Sequence, residues 1–224
     1  MPFKAILIDF YGTITAGDKE AVEAVCTRIV ETFELQMTPL QFSIHWGKRF
    51  FDTIARSNHH DFQTLYDCEL NSLREALSDI HVDPGLFVRE LEEYWSNPPI
   101  YADALEFLRT VDLPVCCVSN ADTAPLQSAI SRHGLHFDGV VTSQDVRAYK
   151  PDPKIFHAAL EQMDVRIHQA VHVGDSLHSD ISGASQIGIA TVWVERTSRI
   201  HDIGSCKPDR KISTLAGLNT MLQG

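Results

Sequence analysis

The strongest constraint on this chain is a set of short apolar runs that each stop at an acid or a small polar residue. They are Lys4–Asp9, Leu113–Asn120, Gly139–Ser143 and Ala170–Asp175, with Ile189–Val194 as a fifth strand-like run. Unbroken apolar runs of this size suit strands buried on both faces. Between them lie helical patterns at Ala102–Thr110, Thr123–His133, Pro153–Met163 and Ser179–Gln186. Strands alternating with helices predict an α/β fold, a doubly wound parallel sheet covered on both faces. In such a sheet the carboxyl ends of the strands open onto one crevice, and ligands bind there.

Residues 16–97 break the alternation and read as helical throughout. Val22, Val25, Cys26, Ile29, Val30 and Phe33 recur at helical spacing and form one apolar stripe. Thr38-Pro39 with Gln41 is a capping box with proline in the first turn, which starts a second helix. Asp83-Pro84 starts another by the same pairing. The expected organisation is a core built from 1–15 and 98–224, interrupted by a helical domain over 16–97. Pro98-Pro99 marks the return to the sheet.

Charge and composition exclude several roles. Nineteen basic against thirty acidic residues give a net charge of −11, which opposes binding to nucleic acid or to anionic lipid. No apolar run reaches the roughly 18 residues that span a bilayer, and Met1–Asp9 lacks the features of a signal peptide. A cytoplasmic protein acting on a small molecule is expected. Oligomeric state is not legible. The five cysteines, Cys26, Cys68, Cys116, Cys117 and Cys206, show no spacing of a zinc site or redox dithiol. They are expected to be reduced and mostly buried.

Chemistry-bearing residues gather at the strand ends: Asp9, Ser119 with Asn120, and Asp175, with Lys150 in a loop. Asp9-Phe10-Tyr11-Gly12-Thr13, Ser119-Asn120, Lys150 before Pro151-Asp152-Pro153, and Gly174-Asp175 with Asp180 resemble, in order, the four motifs of the haloacid dehalogenase-like (HAD) hydrolase superfamily. The helical insertion between the first two motifs is similar to that of its C1-capped members, so a Rossmann-like core with an inserted cap is implied.

The resemblance implies roles residue by residue. Asp9 is the nucleophile of a covalent aspartyl intermediate. Thr13 and Ser119 bind phosphate oxygens, Asn120 orients either partner, and Lys150 neutralises charge. Two unit charges about 4 Å apart repel by roughly 4 kcal/mol at an effective dielectric of 20. Asp175 and Asp180 beside Asp9 therefore call for a cation. Mg²⁺ suits these hard oxygen donors, with Asp9, Asp175 and the Tyr11 carbonyl as ligands and Asp180 bound directly or through water. The implied activity is Mg²⁺-dependent hydrolysis of a small, anionic phosphorylated metabolite.

One position departs from the phosphatase pattern. Phosphatases of the superfamily carry a second aspartate two residues after the nucleophile, as acid and then base; here Tyr11 stands there. Losing such a group typically costs about 10²–10⁴-fold in rate. Tyrosine at this position is similar to the L-2-haloacid dehalogenase branch, which uses no metal and whose halide leaves without a proton. That branch has an arginine after a cap tryptophan, whereas Gly47 follows Trp46, with Lys48 and Arg49 next. Its fourth motif is also shorter and contains serine and asparagine, whereas this chain keeps Gly174-Asp175 with Asp180 as in the phosphatases. A phosphonatase-like reading would give Lys48 a Schiff-base role, and a non-catalytic binding protein would tolerate Tyr11. Arg49 and Arg56, seven apart on one helical face, are a candidate anion-selecting edge. His45, His59 and His60 are given no metal role.

Overall fold

The structure, a computed structural model, describes residues 3–196 and 206–223. The remaining positions of the expected core, 1, 2, 197–205 and 224, lie outside the described residues. Five strands fall where the apolar runs predict them: β1 (Ala5–Ile8), β2 (Val115–Ser119), β3 (Gly139–Thr142), β4 (Ala170–Gly174) and β5 (Ala190–Val194). A sixth, β6 (Arg210–Ile212), was not expected. Its residues are two exposed bases and a half-buried isoleucine, a charged sheet edge rather than an apolar run.

All pairings are parallel, in the order β3-β2-β1-β4-β5-β6. Strand order reverses between β1 and β4. Ile8 pairs with Val173, and the Asp9 N–H donates to the Val173 carbonyl at 2.9 Å. Asp9 and Asp175 therefore leave adjacent strand ends at the switch point of the sheet, although 166 residues separate them. This is where an open α/β sheet binds ligands.

Helices cover both faces of the sheet: α5 (Ala102–Thr110), α6 (Thr123–Arg132), the single turn α7 (Ser143–Val146), α8 (Pro153–Gln162), α9 (Gly183–Gln186) and α10 (Leu218–Gln223). Alternate strand residues feed two cores. Ile6, Ile8, Val115, Cys117, Val171 and Val173 join one with Phe107 and Leu126, while Leu7, Cys116, Val118 and Ala170 join the other with Ile155 and Phe156. Complete burial of one such side chain stabilises the fold by roughly 1.5–3 kcal/mol.

The inserted helices are α1 (Asp18–Thr32), α2 (Pro39–Arg56), α3 (Leu65–Ala76) and α4 (Gly85–Trp95). They bury their own core, in which Val25, Cys26, Ile29 and Val30 meet Phe42, Trp46, Leu73, Phe87, Val88 and Leu91. The Thr38–Gln41 capping box forms as expected. The insertion leaves and re-enters the sheet side by side, with Thr15 bridging Ile100 and the Ala16 N–H donating to the Pro99 carbonyl. Cys26, Cys68, Cys116 and Cys117 are buried thiols, and no helix among the described residues is long and apolar enough to cross a membrane.

Candidate functional site

Each motif delivers its side chain to the crevice for a local reason. Asp9 ends β1, and the chain turns sharply at Gly12, whose φ of +86° favours glycine and whose added Cβ would lie 2.7 Å from the Asp175 carboxylate. The two loops touch only because that Cβ is missing. Gly174 does the same on the other side, where a Cβ would fall on the Asp180 carboxyl. Downstream, the expected helix over Ser179–Gln186 begins instead as a π-helical segment, Leu177–Ser182. The Ile181 N–H reaches back five residues to the Ser176 carbonyl. Asp180 then folds under the loop, its Oδ2 accepting the Ser176 N–H at 3.0 Å.

Lys150 sits at the centre, 3% exposed. Its ammonium donates to Asp9 Oδ1 and Asp180 Oδ1, both at 2.6 Å, and to the Val118 carbonyl at 2.8 Å. Asn120 fixes this lysine rather than facing a substrate. Its Oδ1 accepts the Lys150 N–H at 2.7 Å and its Nδ2 donates to the Lys150 carbonyl at 3.1 Å, so the substrate-orienting role expected for Asn120 gives way to positioning.

Beneath the site, buried His172 lies 3.0 Å through Nε2 from Asp180 Oδ1 while its Nδ1 has no partner. The neutral Nε2–H form satisfies both facts, and burial lowers the imidazole pKa in the same sense. Asp180 thus spends Oδ1 on Lys150 and His172 and Oδ2 on a backbone amide. It supports Lys150 and also keeps an oxygen in a cluster with Asp9 and Asp175.

The carboxylates respond as their surroundings dictate. Burial pushes Asp9 up to about 7; Lys150 pulls the other way, and Asp180 and Asp175 add to the rise. For Asp180 burial also opposes ionisation, but the charge of Lys150 and the bond from His172 hold it well below the carboxylate range. Burial lowers Lys150, yet the two aspartates overcome this and raise it above its ordinary value.

Two further groups of the site have no partner. Asp9 Oδ2 and Ser119 Oγ are buried without a hydrogen bond, a cost that native structures leave unmet mainly where a ligand or ion belongs. Asp9, Asp175 and Asp180 each present an oxygen within 4.8 Å of the others. Three hard oxygen donors around an orphaned carboxylate oxygen fit Mg²⁺. Thr13 hydrogen-bonds Asp175 Oδ1 at 3.3 Å, which keeps its hydroxyl in the same cluster.

Tyr11 turns away from this cluster. Its hydroxyl donates to the Trp95 carbonyl at 2.7 Å and its ring meets the Trp95 ring edge-on. Burial raises its pKa well above the ordinary tyrosine value. The Trp95 indole N–H in turn donates to Glu69 Oε1 at 2.9 Å, and burial pushes Glu69 up to about 8. Glu69 escaped sequence reasoning because a glutamate inside a polar-looking helix carries no signal of burial. Asp122 was also missed; it receives the backbone N–H groups of Leu65 and Tyr66 and so caps α3 from the core side.

The remaining candidates lie elsewhere. Arg49 bonds back to the His45 carbonyl and Arg56 to the Asp52 carbonyl, and Arg56 lines a separate polar groove with Asp61, Gln63 and Arg74. Lys48 is exposed, without the desolvation that activates a Schiff-base amine. Trp46 points into the cap core, its indole bonded to Ser72 at 2.9 Å. His59 pairs with Asp152 at 2.9 Å.

Comparisons with known proteins fit this geometry. The haloacid dehalogenase-like hydrolase family matches residues 3–188. The chain is 26% identical over 200 residues to (S)-2-haloacid dehalogenase 4A of Burkholderia cepacia, covering 86% of this chain and 83% of that one. It is 33% identical over 134 residues to phosphoserine phosphatase of Thermus thermophilus, covering 58% of this chain and 52% of that protein. In three dimensions it superposes on the L-2-haloacid dehalogenase RSc1362 with a TM-score of 0.78 at 22% identity, over the full length of both.

Proposed function

The chain belongs to the haloacid dehalogenase-like hydrolases, and from that premise we propose that it hydrolyses a small phosphate ester through an aspartyl-phosphate on Asp9. The observation that carries the reading is Asp175: the missing Cβ of Gly12 lets it approach the nucleophile loop, with an oxygen within 4.8 Å of an oxygen of Asp9, whose Oδ2 is unpartnered. Asp9, Asp175 and the Tyr11 carbonyl would hold Mg²⁺, with Asp180 bound directly or through water, and the ion would supply charge neutralisation between carboxylate and phosphate.

The protein's own groups do the rest. Lys150 favours the ionised form of Asp9 against its burial and fixes its orientation. The orphaned Ser119 hydroxyl and the Thr13 hydroxyl are the donors for phosphate oxygens. An Asp9 oxygen attacks phosphorus as the bond to the leaving oxygen breaks; water then cleaves the acyl phosphate and restores Asp9. Asp180, Asn120 and His172 hold Lys150 in place. We propose that the helices within 16–97 cover the crevice as a cap, and that the active chain needs no nucleic acid or membrane.

A second reading, carbon–halogen cleavage with a chloride leaving group, draws on Tyr11 and on the match to the Burkholderia dehalogenase along most of both chains. The comparisons lean toward it; the donor set around Asp9 leans toward phosphate. Trp46 buried in the cap and Gly47 in place of an arginine weigh against it. The test is release of phosphate from p-nitrophenyl phosphate with magnesium or chelator, beside chloride release from 2-chloropropionate. Phosphate release abolished by chelator supports the first reading, and chelator-insensitive chloride release replaces it with the second.

A further inference from the structure

Thr13 is held from two directions. Its hydroxyl donates to Asp175 Oδ1 at 3.3 Å, and its carbonyl accepts Nη2 of Arg196 at 3.1 Å, from the chain just beyond β5. Within the loop, the Ile14 and Thr15 N–H groups both donate to the Phe10 carbonyl, at 2.9 and 3.1 Å. Arg196 ties this turn to the rest of the core. Its side chain is 7% exposed, and Nη1 and Nη2 meet the two Asp103 carboxylate oxygens at 3.0 and 3.1 Å. The guanidinium lies over the Tyr101 ring, 4.0 Å from its centre. Both supports are themselves fixed. Asp103 accepts the Thr214 hydroxyl and the Leu215 N–H, each at 2.7 Å, and the Tyr101 N–H donates to the Ile14 carbonyl at 3.0 Å.

Asp103 already answers the charge of Arg196, so the guanidinium serves the site through geometry rather than as a cation for the substrate. A planar fork held edge-on by a carboxylate and face-on by a ring has one orientation, and here that orientation aims Nη2 at the Thr13 carbonyl. We propose that Arg196, which belongs to none of the four sequence motifs, is a positioning residue of the reaction: it fixes the Thr13 peptide and with it the hydroxyl that binds a phosphate oxygen. The inference rests on the phosphate-ester reading, in which Thr13 is such a donor. A displacement of about 1 Å in a group that positions substrate can cost about 10²-fold in rate. Lysine does not replace this arginine, because one ammonium cannot make the paired carboxylate bonds, the ring contact and the carbonyl bond together.

The test is a double-mutant cycle on kcat for p-nitrophenyl phosphate with magnesium, in wild type, Arg196→Lys, Thr13→Val and the double variant. Arg196→Lys is expected to lower kcat by at least about 10-fold on its own. Where Thr13→Val has already removed the hydroxyl, the same change is expected to cost less than about 2-fold. An unchanged kcat, or equal losses in both backgrounds, overturns the inference and leaves the phosphate reading standing. If Arg196→Lys does not fold, Asp103→Asn takes its place in the cycle with the same expectations, since it keeps an acceptor but removes the charge that holds the guanidinium. Should wild type release no phosphate, the phosphate reading fails; there, and where Thr13→Val is too slow to measure, amide hydrogen exchange decides. Faster exchange confined to Ile14 and Thr15 in the arginine variant upholds its hold on the loop, whereas unchanged exchange, or acceleration spread through the core, removes it.

Discussion

Lys150 donates to Asp9 Oδ1 at 2.6 Å and is buried with it. One cation therefore serves the nucleophile and, through Asp180, the loop that follows β4. Both aspartates depend on it, since each is fully enclosed and burial opposes the charge of each.

Lys150→Met is expected to destabilise the fold by about 3–5 kcal/mol, the cost of leaving buried carboxylates without their partner, and to abolish activity. Urea unfolding with and without activity assay checks both. A variant as stable as wild type would mean that Asp9 and Asp180 shed their charge at little cost.

Tyr11→Asp restores an acid where the phosphatases carry one. Turnover of an alkyl phosphate is expected to rise by about 10²-fold, the lower end of what a general acid contributes. The variant also loses the bond to the Trp95 carbonyl, which is expected to cost about 1 kcal/mol of stability. An unchanged kcat would show that another group already protonates the leaving oxygen.

Glu69 gives the protein a signed pH dependence. Its carboxyl ionises at about 8 when folded, against an ordinary 4.5, because of burial. The folded state holds the proton more tightly, so this contribution is complete below about 4.5 and is lost as pH rises through about 8. Glu69→Gln keeps an acceptor for Trp95 and removes the titration. Denaturation from pH 5 to 9 is expected to show wild type losing stability relative to the variant, by on the order of a few kcal/mol. Parallel curves would contradict the burial of this acid.

Gly47→Arg places an arginine after Trp46, where an added Cβ meets nothing within 4 Å. Replacing a helical glycine is expected to stabilise the fold by about 0.5–1 kcal/mol. Chloride release from 2-chloropropionate is expected to stay at background on the phosphate reading. A large gain would show that the crevice was one cation short of a dehalogenase.

The parallel sheet and the motif residues were legible because buried strands and strand-end acids write themselves as local runs. Strand β6 was not, since Arg210-Lys211-Ile212 is edge backbone with exposed side chains. The π-helical start at Leu177 was also hidden: it exists to turn Asp180 under its own loop, a tertiary demand absent from the local pattern. Asn120 looked like a substrate ligand, and only the fold reveals its amide clamped to the Lys150 peptide. Glu69 bonds to Trp95, and Asp122 to the start of α3, across chain separations that periodicity does not report.

The most direct measurement is calorimetric titration of Mg²⁺ into wild type and into Asp175→Asn at neutral pH. One ion per chain in wild type, with affinity reduced at least about 10-fold in the variant, is the result this account predicts. Absence of binding in wild type, or identical binding in both, would contradict it.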